Sequence, residues 1–158
     1  MILYHGSALD IAKPDLSFAR NKTDFGRGFY VTPIKEQAYK WSERFRRRHG
    51  KGYVSLYEVD EAAMRSNCSI LEFVDYSGEW LDFILSCRSG NDKSIYEVVI
   101  GGVANDKVFN TIELYFDGLI EKPEALRRLR YENPNLQYCF RSQAVINNFL
   151  RYIDREVL

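Results

Sequence analysis

Two short apolar runs near the start of the chain, Met1 to Tyr4 and Gly28 to Thr32, are separated by residues 8 to 27, a long segment without a hydrophobic period that carries Pro14, Asn21, Asp24 and Gly26. An apolar run stopped by Gly6 reads as a buried strand opening the domain, and Phe29-Tyr30-Val31 as the body of a second strand. The segment between them is expected to be loop, with room for one helical turn. Ordered loops of this length in compact domains tend to be lids or binding loops, which directs attention to the residues just before Phe29.

After the second strand, Pro33 stands at a favoured first-turn position for a helix over 34–48, in which Ala38, Trp41 and Phe45 share one face. Tyr53 to Val59 alternates as a strand, and a short strand is expected at Ile70 to Phe73. A helix from Gly78 to Cys87 would turn Trp80, Leu81, Ile84 and Leu85 inward. Gly90-Asn91-Asp92 marks a turn before the apolar strand Ile95 to Ile100, which Gly101-Gly102 is expected to end. Helices over Asn105 to Tyr115, capped by Asn105 or Asp106, and over Glu124 to Leu129 come next. Pro134 breaks the chain before a strand at Leu136 to Phe140, and a last helix from Ser142 to Arg155 would bury Val145, Ile146, Phe149, Leu150 and Ile153. Strands scattered among helices of unequal length, without regular alternation, give an α+β class, and 158 residues suit a single domain spanning 1–158.

Lysine plus arginine and aspartate plus glutamate both number 22, so no global field draws nucleic acid or anionic lipid to the chain. A local patch, Arg44 to Lys51, lies at the end of the first helix, where cations also complement the helix dipole. Cys68, Cys87 and Cys139 are scattered and odd in number, which suits reduced thiols, and no metal-ligand spacing is present. No apolar run reaches the length of a membrane span and no export signal is evident, so a cytoplasmic location away from membranes is expected.

His5 ends the first strand and is followed directly by a glycine and a hydroxyl residue. A lone histidine is usually structural, and His49 has no evident partner, so no nucleophilic relay is supported. Phe25-Gly26-Arg27-Gly28 could cradle a phosphate, but it feeds a strand and lacks the lysine of a P-loop. By composition alone it is a glycine-rich turn.

Taken together, Leu3-Tyr4-His5-Gly6-Ser7, then Phe25-Gly26-Arg27-Gly28-Phe29-Tyr30-Val31-Thr32, then a helix bearing Ala38 and Trp41, resemble the ADP-ribosyltransferase superfamily in its histidine-tyrosine branch, which includes diphtheria toxin and the poly(ADP-ribose) polymerases. The pattern also resembles that of a bacterial family of small single-domain proteins. The resemblance implies a split mixed β-sheet core with flanking helices and NAD⁺ as co-substrate, with no metal. His5 matches the residue that hydrogen-bonds a ribose hydroxyl of NAD⁺, and Gly6 the residue whose backbone pairs with the nicotinamide carboxamide, an approach a side chain would block. Ser7 would lie beside the ribose. Tyr30 matches the tyrosine that packs on the nicotinamide ring, and Trp41 falls where a second aromatic would sandwich it; plain core packing would also account for Trp41. Arg20, Arg27 and Gly28 would meet the pyrophosphate. The family's late glutamate is matched by Gln137, an amide that can hydrogen-bond a ribose hydroxyl but carries no charge; Glu132 is a nearby alternative.

The resemblance therefore implies mono-ADP-ribosyl transfer to a macromolecular acceptor, with inversion at the anomeric carbon, by a toxin or defence effector that an antitoxin protein could restrain. A module that binds NAD⁺ or ADP-ribose with little or no turnover, and a nucleic-acid-binding protein working through Arg44 to Lys51, are the alternatives.

Overall fold

A computed structural model describes residues 1–132 and 135–158 of the chain. Asn133 and Pro134, where a break before Leu136 is expected, lie outside the described residues. The first sheet is antiparallel, with β1 (Ile2–Ser7), β3 (Tyr53–Glu58) and β7 (Arg151–Val157) in the order β1-β3-β7. The second holds β2 (Phe29–Val31), β6 (Leu136–Phe140), β5 (Val98–Gly102) and β4 (Ile70–Glu72), in that order, with β4 and β5 parallel and the other pairs antiparallel. Among the described residues a single isolated bridge, Tyr4 to Thr32, joins the sheets. Helices α1 (Lys35–His49), α2 (Glu61–Asn67), α3 (Gly78–Arg88), α4 (Asp106–Phe116), α5 (Lys122–Leu129) and α6 (Gln143–Phe149) complete the described α+β architecture. None of the described helices is long and apolar enough to cross a membrane.

The central strands β5 and β6 explain why the molecule has two cores. Both read as near-continuous apolar runs, the signature of strands covered on both faces. Val98, Ile100, Tyr138 and Phe140 enter a core between the two sheets, with Leu3, Phe29, Val31, Tyr57 and Val145. Val99 and Cys139, on the opposite face, enter a second core with Phe25, Trp80, Leu81, Ile84, Val108 and Ile112 from the loop and from α3 and α4.

Several boundaries differ from the sequence expectations. The strand expected at Ile95 to Ile100 starts three residues later and ends two later, leaving Ile95 91% exposed. Gly101 and Gly102 continue it instead of ending it: a Cβ on Gly101 would lie 3.0 Å from the Phe25 ring and 3.3 Å from Phe73. Glycine here permits close packing. The final helix stops at Phe149, and Arg151–Val157 forms β7 on the edge of β3. Its apolar positions fit a helical period, but β3 would otherwise present an open ladder edge, and pairing satisfies those groups. Ile153, expected inside, is 42% exposed. Pro33 precedes the extended N-cap residue Ile34 and so stands just outside α1. The buried residues of α1 are Ala38 and Ser42, so the face holding Trp41 and Phe45 is not the packed one. Leu85 is likewise only partly buried, and Cys87 takes the inward place on α3. The unexpected α2 starts at Asp60, whose side chain accepts from the Ala63 N–H, and is anchored by Met64, which is fully buried.

Candidate functional site

The bridge between the sheets is followed by a gap. Tyr4 N–H donates to the Thr32 carbonyl at 2.8 Å, and Thr32 N–H donates to the Tyr4 carbonyl at 2.9 Å. If the antiparallel ladder continued, the next hydrogen-bonded pair would be Gly6 with Tyr30. It does not form. His5 Nδ1 instead donates to the Tyr30 carbonyl at 2.7 Å, so an imidazole occupies the acceptor that Gly6 N–H would have taken. On the other side of β1 the odd residues face β3, as the mutual bonds of Met1 and Val59 show. By strand alternation the N–H and C=O of Gly6, and the N–H of Tyr30, therefore point into the split, where the described residues offer them no partner.

Helix α1 packs on β1 beside this split. A Cβ on Gly6 would run into the Ala38 carbonyl oxygen and lie 3.1 Å from Ser42 N, so only glycine lets the helix sit this close to β1. The His5 ring is partly buried and lies 4.5 Å from the Phe29 ring, centroid to centroid. Desolvation lowers its pKa below the usual 6.5, outweighing the opposing effect of the Tyr30 hydrogen bond. The imidazole is thus neutral at pH 7, and with Nδ1–H committed to Tyr30 its Nε2 is a lone-pair acceptor.

Tyr30 is held rigidly. Its hydroxyl donates to the Gly26 carbonyl at 2.6 Å, accepts from Phe25 N–H at 2.9 Å and meets Thr23 Oγ1 at 2.9 Å. Gly26 takes a left-handed φ of 78° at the end of this turn. Burial drives the phenol pKa far up, so the group stays protonated. Gly28 is required by the closeness of β6: a Cβ there would meet Cys139 Sγ and lie 2.8 Å from the Phe140 carbonyl oxygen. The thiols of Cys87 and Cys139 are pushed up to about 12 by burial and are unreactive at neutral pH.

Gln137 lies on β6 opposite Gly101. Continuing the register of Val31 with Tyr138 places it across from Thr32, level with the bridge to Tyr4. Two interstrand steps put its Cα about 10 Å from that of Tyr4. The side chain is 8% exposed, and its Nε2 has no hydrogen-bond partner among the described residues. Alternation sets it on the same sheet face as Thr32 and the Tyr30 ring, which is also the face that Gly6 turns toward α1. A buried amide donor without a partner costs about 1–3 kcal/mol, a penalty that a hydroxyl or carbonyl ligand would relieve.

The remaining residues singled out in the sequence lie at varying distances from the split. Ser7 Oγ accepts from Leu9 N–H at 3.3 Å. Trp41 is 51% exposed, with the Arg44 guanidinium 4.6 Å from its ring centroid and Phe45 edge-on; no aromatic pair joins it to Tyr30 among the described residues. Arg20 is exposed. Arg27 donates to the Leu16 carbonyl at 2.6 Å and, with Lys22 and Arg141, lines an open cleft of about 480 Å³ beside the loop. That cleft does not include His5, Gly6 or Gln137; the split is the better candidate because Gly6 and the unpartnered Gln137 amide are buried and His5 is fixed by its hydrogen bond. Among the described residues no group of His, Cys, Asp and Glu is arranged to hold a metal ion.

Sequence reasoning missed the residues that hold the long loop. Ile11 N–H donates to Ser55 Oγ, Ser55 donates to Asp10, and Tyr152 and Arg155 also donate to Asp10 at 3.0 and 3.1 Å. Gln143 accepts from Leu16 N–H and donates to the Pro14 carbonyl. At the far end Arg88 pairs with Asp24 at 2.5 Å. These partners come from β3, α3, α6 and β7, so no local signal near residues 8–27 announces them.

No curated protein and no solved structure matches this chain. A family model described as protein of unknown function, DUF3990, matches residues 1–152, and the chain therefore belongs to that family.

Proposed function

We propose that the split between β1 and β2 binds the nicotinamide riboside of NAD⁺, and that the protein transfers ADP-ribose from it to a macromolecular acceptor. The observation that carries this is the interrupted ladder, which leaves a backbone donor and acceptor of Gly6 side by side next to a neutral His5. A carboxamide presents one acceptor and one donor, the complement of a peptide group. His5 Nε2 is suited to accept from a ribose hydroxyl, and the unpartnered Gln137 Nε2 to donate to a ribose oxygen.

In the reaction the C1′–N glycosidic bond breaks and nicotinamide leaves with the electron pair. The acceptor nucleophile forms the new bond to C1′ and loses a proton. An oxocarbenium-like centre is stabilised best by negative charge, and a neutral amide supplies only its dipole. Gln137 accordingly fits transfer to a good nucleophile or slow hydrolysis, not efficient polymer extension. It also supports a second reading, a module that binds NAD⁺ or ADP-ribose without turnover. Incubation of the full chain and cell extract with NAD⁺ labelled on its adenylate phosphate separates the two. Label transferred to macromolecules, and lost in His5→Ala, supports the enzyme; thermal protection by NAD⁺ without any nicotinamide release supports the binding module.

A further inference from the structure

Helix α1 carries two different stripes. Ala38 and Ser42 face β1, while Trp41, Arg44, Phe45 and Arg48, at spacings of three and four residues, form a neighbouring stripe in which Trp41, Arg44 and Arg48 are exposed and Phe45 is partly buried. Trp41 is 51% exposed, an unusual position for so large an apolar ring on a helix that has a buried face available. The Arg44 guanidinium stacks over it at 4.6 Å, and Phe45 packs edge-on against it at 6.5 Å. The arginines are also uncommitted. Lys35, Lys40 and Arg46 each pair with a carboxylate, whereas Arg44, Arg47 and Arg48 have no carboxylate partner among the described residues. A chain of zero net formal charge thus concentrates unpaired cations and a half-exposed tryptophan on one helix.

We infer that this stripe docks single-stranded nucleic acid. Bases stack on aromatic faces regardless of sequence, arginines neutralise the phosphates between them, and the alternation of ring and guanidinium along Trp41, Arg44, Phe45 and Arg48 matches that chemistry. Duplex would hide the base faces that Trp41 is placed to meet. The stripe starts one residue from Ser42, which packs on Gly6, so a bound strand passes beside the split. Resting on the proposed NAD⁺ chemistry, the docked strand is the acceptor: one of its nucleophilic oxygens or nitrogens forms the bond to C1′ as nicotinamide departs, and releases a proton.

The test uses the full chain and fluorescein-labelled single-stranded 20-mers of mixed sequence, one RNA and one DNA, without NAD⁺. Anisotropy titrations should show affinity falling with salt, with a log-log slope of about −2 for some three phosphate contacts. Arg44→Ala with Arg48→Ala should flatten the slope by about 1.4, and Trp41→Ala should weaken binding about tenfold with the slope unchanged. The two oligonucleotides distinguish RNA from DNA as the strand preferred. Salt-independent binding, an unaltered slope in the double variant, or equal affinity for polyglutamate or for vesicles containing phosphatidylserine would overturn the docking surface. With adenylate-labelled NAD⁺ added, label should appear on the oligonucleotide and drop in the double variant, while nicotinamide release without oligonucleotide stays the same. Release without label on a bound strand overturns the acceptor assignment; binding without any release overturns the NAD⁺ reading and leaves the docking surface standing.

Discussion

His5 and Gly6 do different work at adjacent positions. His5 opens the split by taking the Tyr30 carbonyl, and Gly6 leaves room for α1 above it. A methyl at Gly6 strikes backbone, which cannot swing aside, so Gly6→Ala is expected to lower stability by about 1–3 kcal/mol, read as a shift in the urea midpoint. The His5 pKa gives a pH dependence with a defined sign. The folded state holds the group below 6.5, so below that pH the unfolded chain binds a proton the folded chain resists. Stability is full above about pH 6.5 and falls as the pH drops beneath it, and His5→Gln should remove that share of the slope in urea titrations across pH. On the proposed NAD⁺ reading, Gln137 sets a buried amide where a carboxylate would best steady a cationic centre. Gln137→Glu is expected to raise the rate of nicotinamide release at least tenfold, measured at saturating NAD⁺; a fall in rate would show that no cationic centre forms beside it. His5-Gly6-Ser7 and Tyr30 could be picked out in the sequence only through the resemblance that their two segments carry together, since a lone histidine and a glycine-rich turn are each accounted for structurally. The single hydrogen bond that defines the split could not, since it joins residues 25 apart through a backbone atom.

Among the elements, strands with strong local patterns were legible: β1, β2, β3 and β6 start or end within a few residues of where apolar runs and turn residues put them. The C-terminus was not, because Val145, Ile146, Phe149 and Leu150 are helical in period and Ile153 keeps the phase, while the choice of strand is made by the open edge of β3. That edge strand also ties down the long loop through Tyr152 and Asp10. Tyr152→Phe removes one donor to Asp10 and should speed hydrogen exchange at the Ile11 amide severalfold, with little change at core amides such as Val99. Unchanged exchange at Ile11 would show that Ser55 and Arg155 hold the loop by themselves. The loop that sequence length marked as functional is thus a strapped segment, fixed by β3, α3, α6 and β7 around the turn that positions Tyr30.

Across the whole molecule, two cores share the strands β5 and β6, so the sheets cannot unfold independently without exposing one face of each. Ile100→Ala and Val99→Ala, on opposite faces of β5, should each lower stability by about 2–5 and 1–3 kcal/mol respectively, and still give coincident transitions by fluorescence and circular dichroism. Separate transitions would mean that each core folds as its own unit. This arrangement places β2 and β6 in one sheet and β1 in the other, with the Tyr4–Thr32 bridge the one backbone pairing between them among the described residues, which is why a stable gap can exist beside it. The central claim is that this gap is an NAD⁺ site built on His5. Calorimetric titration of NAD⁺ into the full chain tests it most directly: the wild type should bind one equivalent, and His5→Ala, folded to the same extent by circular dichroism, should bind at least tenfold more weakly. No binding by the wild type at millimolar NAD⁺, or equal affinity in the two proteins, would contradict it.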